Sequence, residues 1–140
     1  MAVITVAAIA FVRDDGRVLT VRKRGTSRWM LPGGKPEPGE QPVDTAVREV
    51  HEELGIRIAP EELELLGAFD SHAANEAGHA LRATVFVSRS AVEPVVQAEI
   101  DGLRWSDPDS PDDAEAPLNR DVVFPLLRSH RGLPRRGSVR

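Results

Sequence analysis

Apolar positions in this chain fall first into unbroken runs and later into a helical stripe. From Val3 to Val12 every position but Thr5 is apolar, which reads as a buried strand. A second β-rich run, Arg17 to Arg22, follows RDDGR, where a Gly after two Asp marks a turn, so the two runs are expected to pair as a hairpin. A third extended piece, RWMLPGG, stops where Pro32, Gly33 and Gly34 break regular structure. The period then changes. Pro42 to Leu54 reads as a helix, with proline at an allowed early position and Gly55 as its C-terminal stop. At about 100° per residue, with Glu49 at zero, Glu52 falls at about −60° and Glu53 at about +40°, while Ala46, Val50, Val43, Leu54 and Val47 fall between about +60° and +160°. The acids therefore form one stripe and the apolar residues the stripe beside it.

Beyond the helix, ELELLGAFD and HALRATVFVSR read as strands on either side of the loop SHAANEAG. DGLRWSD is a short strand, PDSPDDAEAP an acidic loop, and NRDVVFPLLRS a helix interrupted at Pro125. No internal repeat is present. The order β-β-β-α-β-β-β-α predicts an α+β fold in which a mixed β-sheet is sandwiched between helices, an α/β/α arrangement.

Composition narrows the chemistry. A length of 140 residues is that of one domain, expected over 1–128, with 129–140 as a basic and flexible C-terminal tail. The chain has no cysteine, which removes disulfides, thiolate zinc sites and cysteine nucleophiles and is compatible with a reducing cytoplasm. Its apolar start lacks a basic leader region, and no run approaches the roughly 20 apolar residues of a spanning helix, so neither a signal peptide nor membrane association is expected. The net charge is −4, and Arg131, Arg135, Arg136 and Arg140 in the tail leave the body to Arg128 four charges more negative, at −8. Such a body is a poor partner for bare nucleic acid, and no stable nucleic-acid binding is expected. An acidic body that handles phosphates needs metal cations as intermediaries. A monomer and a homodimer are both compatible with the sequence.

Glu49, Glu52 and Glu53 stand at i, i+3 and i+4, where like charges cost a few tenths of a kcal/mol each. A solvated acidic face is the plain account of such a stripe. Against it, the stripe borders the apolar face and follows a glycine turn with free carbonyls. Carboxylates plus a backbone carbonyl are hard ligands suited to Mg²⁺ or Mn²⁺, and Mg²⁺ usually recruits phosphate oxygens to complete its octahedron.

The segment GKPEPGEQPVDTAVREVHEELGI resembles the Nudix box, G-x5-E-x7-R-E-U-x-E-E-x-G-U with U aliphatic. Gly34, Glu40, Arg48, Glu49, Val50, Glu52, Glu53, Gly55 and Ile56 fill its defined positions, seven of them as identities. At background frequencies of roughly 0.08 each, chance gives such a match on the order of 10⁻⁸ times per start. Similarity to MutT-like Nudix hydrolases implies water attack on a phosphorus of a diphosphate linked to some group X. It implies Glu49 as a metal ligand, Glu52 and Glu53 as further ligands or water activators with Glu53 favoured as the base, and the Gly33 carbonyl as another ligand. Arg48, Glu40, Gly34 and Gly55 become holders of the loop and helix geometry. Glu99, ahead of the Trp105 strand, is a candidate ligand or base from a loop beyond the box, with Glu93 a weaker one.

Around this centre, Arg22 and Lys23 are candidates for gripping phosphate; strand alternation puts them on opposite faces, and Arg22 is favoured for the cleft. Trp29 is either a base-stacking platform or packing. Asn119 is either a base-reading amide, as in related nucleotide hydrolases, or an N-cap. His72, Asn75, Glu76 and His79 form a polar loop that either selects substrate or is an exposed hairpin tip. DPDSPDDAE reads as a solvated loop. The expected activity is Mg²⁺-dependent hydrolysis of a nucleoside triphosphate, including oxidised ones, to a monophosphate and pyrophosphate. ADP-ribose or a nucleotide sugar is the alternative substrate, and a non-catalytic Nudix-fold nucleotide-binding regulator the alternative of another class. Within the family a proline beyond the box accompanies ADP-ribose hydrolases and a tyrosine dinucleoside polyphosphate hydrolases; Ser71 to Ala74 contain neither.

Overall fold

The computed structural model describes residues 2–131. Strand β1 (Val3–Phe11) runs parallel to β5 (Ala80–Ser88) along its whole length, from Val3 opposite Ala80 to Phe11 opposite Ser88. Its other edge meets β3 (Gly33–Gly34), antiparallel, with Ala8 opposite Gly33. β4 (Glu64–His72) completes this mixed sheet in the order β3-β1-β5-β4. A second sheet pairs β2 (Val18–Lys23) antiparallel to β6 (Ile100–Ser106).

The expected hairpin of the first two runs does not form as a shared sheet. The turn is present, with the Arg13 amide donating to the Arg17 carbonyl at 2.9 Å and Val12 bridged to Val18. Both edges of β1 are already filled, by β5 and β3, so β2 turns away and pairs with β6. The pattern of β1 follows from this central place. Ala7, Ile9 and Phe11 enter one core with Ala46, Val50 and Leu54 of α1 (Pro42–Leu54), whereas Ala8, Ala10 and Val12 enter another with Val123, Phe124 and Leu127. A strand covered on both faces reads as a continuous apolar run because neither alternate set meets water. The three-layer α/β/α expectation is met.

Helix α1 ends at Gly55, whose φ of 67° lies in the left-handed region and whose amide donates to the His51 carbonyl at 3.0 Å. Two further carbonyls at this end are satisfied from the loop ahead of β6: the Val95 amide donates to Leu54 and the Gln97 amide to Glu53, both at 2.9 Å. That loop carries Glu99, so the end of α1 positions it.

The C-terminal helix is not broken at Pro125. Helical structure starts at 117–118, passes through a π-turn (Asn119–Val123) and continues as α2 (Phe124–Arg131). Proline has no amide to donate, and the wider preceding turn, in which the Phe124 amide reaches the Asn119 carbonyl, accommodates it. Helix α2 also runs three residues past the expected domain end at 128; the rest of the basic tail lies outside the described residues. Among the described residues no helix is long and apolar enough to cross a membrane.

Candidate active site

Arg48 organises the acidic edge of α1. Its Nε and Nη2 donate to the two oxygens of Glu40 at 2.8 and 3.0 Å, and Nη2 also reaches the Lys35 carbonyl at 3.1 Å. Glu40 in turn accepts the Glu37 amide at 2.9 Å and the Thr45 hydroxyl at 2.8 Å. The loop between β3 and α1 is thus clasped to the helix, and the Arg48 guanidinium holds the Glu40 carboxyl down at about 2. The remaining nitrogen, Nη1, donates to Glu49 at 3.0 Å and to Glu52 at 3.1 Å. One guanidinium therefore offsets much of the repulsion within the stripe.

Glu53 is different in kind. It lies on the inner border of the stripe, is 4% exposed, and accepts a hydrogen bond from the Gly33 amide at 3.2 Å. Burial first and the neighbouring Glu49 charge second push its carboxyl up to about 8, against the pull of the Gly33 amide and of Lys23. Burial also raises Glu49, with Arg48 opposing the rise. At Gly34 a Cβ would stand 2.4 Å from the Glu49 carboxyl carbon, so only glycine lets that carboxylate lie against the loop. At Gly33 a Cβ would stand 2.2 Å from the Ala7 carbonyl oxygen. Close approach to the β1 backbone thus requires glycine at 33, while at 34 the missing side chain leaves room for the Glu49 carboxylate.

Glu49, Glu53 and Glu99 face one cavity of about 550 Å³, together with Lys23, Gly33 and Gly34. Ile4, Val6, Met30, Leu81 and Leu118 line it as well. Its two ends are distinct. Ala8 pairs with Gly33 at the carboxylate end and Ile4 with Leu81 at the apolar end, and four residues along a strand span about 13 Å. Lys23 Nζ lies 3.4 Å from Glu99, and Lys35, beside Gly34, lines the cavity as a second cation.

Several expected positions are revised by this arrangement. Arg22, favoured for the cleft, lies outside it, with Nε donating to Asp101 at 3.3 Å and its guanidinium 5.0 Å from the Trp29 ring. The alternation of β2 gives the cleft to Lys23 instead. Trp29 is no stacking platform of the cavity: its ring is packed between Arg22 and Arg104, 4.5 Å from the latter, and against Gly102. Glu52 is likewise absent from the cavity wall; its side chain is 55% exposed and turned to Arg48. Asn119 is no N-cap, since helical structure already starts two residues earlier. It is fully buried and lines the cavity, and its Oδ1 has no hydrogen-bond partner. From the polar loop, His72, Asn75 and Glu76 line the cavity, with Asn75 Nδ2 3.5 Å from the Met30 sulfur. His79 is not among them, and its Nδ1 lies 3.2 Å from the Ala77 carbonyl.

Sequence reasoning missed Glu115. It ends a stretch expected to be a solvated acidic loop, yet it is 1% exposed and accepts from Arg104, from the Ser106 hydroxyl at 2.7 Å and from Asn119 at 3.1 Å. An arginine on the short strand LRWS was the available signal, since a half-buried guanidinium there calls for a carboxylate partner.

A divalent cation fits the acidic end by its donors. Buried carboxylates whose protons are held by burial and mutual repulsion are what a hard cation would relieve, and the Gly33 amide bond fixes one of them beside the loop carbonyls. Among the described residues no three acidic or histidine side chains stand close enough together to hold an ion as they are. Glu49, Glu53, Glu99 and the Gly33 carbonyl are the groups that could hold one.

A box-bearing helix packed on one face of a mixed sheet, with its carboxylates against a glycine turn, defines the class, and comparison with known proteins agrees. Residues 1–127 match the NUDIX domain, and the chain belongs to the Nudix family. It is 45% identical over 60 residues to a "MutT-like protein" of Streptomyces ambofaciens, a match spanning 43% of this chain and 38% of that one. Over 60 residues it is 40% identical to an "RNA pyrophosphohydrolase" of Halorhodospira halophila, covering 43% of this chain and 32% of the relative. The matched stretch is thus well under half the length of these relatives. The crystal structure of a MutT NUDIX hydrolase from Burkholderia pseudomallei superimposes with a TM-score of 0.71 at 27% identity, covering 91% of this chain and 98% of that one.

Proposed function

We propose that this protein is a Mg²⁺-dependent pyrophosphohydrolase acting on nucleoside triphosphates, releasing a monophosphate and pyrophosphate. The observation that carries this reading is the single cavity that brings carboxylates and a lysine together with apolar side chains and a buried amide. A polyphosphate matches the first set and a planar, hydrogen-bonding base the second. When bound, a divalent cation supplies charge neutralisation on the pyrophosphate and orientation of the attacking water. Lys23 takes a phosphate oxygen, exchanging its Glu99 partner for it. Glu53, buried and held by the Gly33 amide, accepts the proton of the water, and Glu49 is held in reach by Arg48. Arg48 and Glu40 keep loop and helix in register. Asn119 meets the base.

The relatives' names span MutT-like and RNA-directed hydrolysis, so the substrate is decided by turnover. Phosphate and pyrophosphate release is to be measured across nucleoside triphosphates, ADP-ribose, nucleotide sugars, dinucleoside polyphosphates and 5′-triphosphorylated RNA, with and without Mg²⁺. Preference for free nucleoside triphosphates with strict metal dependence supports the reading. Turnover confined to another group overturns the substrate, and no turnover at all overturns the enzyme.

A further inference from the structure

We infer that Glu115 is a positioning residue for substrate choice: it locks the Asn119 amide so that the cavity presents a hydrogen-bond acceptor, selecting bases that offer a donor. This rests on the reading of Asn119 as the base-facing group. The amide nitrogen of Asn119 donates to the Trp29 carbonyl and to Glu115 Oε1, each at 3.1 Å. Turning the amide over would set its oxygen against two acceptors and lose both bonds. Oδ1 is therefore the amide's unpartnered atom, buried in a side chain that lines the cavity.

The lock depends on Glu115 being an acceptor only. Its other oxygen is held by Arg104, whose guanidinium also donates to both Asp112 oxygens at 3.0 and 3.1 Å. The Ser106 hydroxyl bonds the same oxygen at 2.7 Å and is itself 2.8 Å from the Thr20 hydroxyl. With Arg104 and Ser106 donating to one oxygen and Asn119 donating to the other, Glu115 serves as an acceptor on both sides. A base presenting an amino group or a ring N–H completes the unpartnered oxygen. One presenting only lone pairs there leaves two acceptors facing each other, a loss on the order of ten- to hundred-fold in affinity.

The test uses nucleotide pairs that differ by one donor on the base: ATP and purine riboside triphosphate, GTP and ITP, 8-oxo-dGTP and dGTP. The full chain should prefer the donor-bearing member of at least one pair by ten-fold or more, carried by KM rather than kcat. In E115Q the new amide keeps its oxygen toward Arg104 and turns its nitrogen to Asn119, so that only the Trp29 carbonyl still favours the Asn119 orientation. The preference should then collapse or invert. N119A should abolish it. If E115Q does not fold, the wild-type Asn119 side-chain amide is read by ¹⁵N NMR, where both protons should be protected from solvent exchange and in contact with Trp29. A preference that survives N119A means Asn119 does not read the base, and the reading beneath this one fails. A preference lost in N119A but unchanged in E115Q, or fast-exchanging amide protons, overturns the role of Glu115 alone.

Discussion

Replacing Glu53 by glutamine should stabilise the metal-free protein in alkaline buffer while removing its activity. The unfolded chain releases the Glu53 proton near the ordinary value of 4.5, whereas the folded protein keeps it until about 8. The folded state thus binds more protons throughout that window. Stability from this group is fully present below 4.5, falls as pH rises and levels off above about 8. Each pH step in the window is worth about 1.4 kcal/mol, so the total is on the order of 4–5 kcal/mol. Glutamine keeps the shape without the titration. Urea unfolding of both proteins in EDTA at pH 5, 7 and 8.5 should show nearly equal stability at the lowest pH and a growing advantage for E53Q above it. Glu40 and Asp15, both held down at about 2, titrate below this window and are common to both proteins. Added Mg²⁺ should restore wild-type stability far more than that of E53Q. A stability difference that does not grow with pH would refute the burial of an uncompensated carboxyl at this position. Turnover should fall by about 10²–10⁴-fold, the usual worth of a general base.

Three further outcomes follow from the same geometry. Gly34→Ala forces the Glu49 carboxylate away from the loop, and a Mg²⁺ titration of activity should shift to higher concentration while the circular dichroism spectrum is retained. Lys23→Met removes the cation facing Glu99 and the cavity, and KM for the triphosphate should rise about ten-fold, with an unchanged KM dissociating Lys23 from phosphate. Gly55→Ala places a side chain at φ 67° and 2.9 Å from the side-chain Nε2 of Gln97; a loss of about 1–2 kcal/mol in chemical denaturation is expected, and none would mean the helix end relaxes freely.

The box helix was legible because three separate signals coincide on it: an apolar stripe at helical period, an early proline and a glycine stop. Pairing partners were less so. RDDGR marks a reversal of direction, yet a reversal does not say whether the next strand stays in the sheet, and that was decided by β5 taking the edge of β1. The choice between Arg22 and Lys23 turned on the inward face of β2, whose register with β6 also shifts between these two residues. Asn119 could be singled out by type, but its burial depends on a helix that starts earlier and widens at that point. Glu115 was hidden by its neighbours, because a run of acids looks solvated and only the fold shows which member meets Arg104.

The double duty of β1 bears on which insertions and deletions this protein can accept. Its alternate side chains belong to different helix layers, and the same strand sets the station of Gly33 opposite Ala8. One residue added between Ala8 and Ile9 would reverse the facing of Ile9, Ala10 and Phe11 and shift them about 3.3 Å along the strand relative to Gly33. The RDDGR turn has no such constraint, since lengthening it changes neither the facing of β1 nor the pairing of β3. Length variation is therefore expected to be tolerated on one side of Phe11 and lethal to the site on the other.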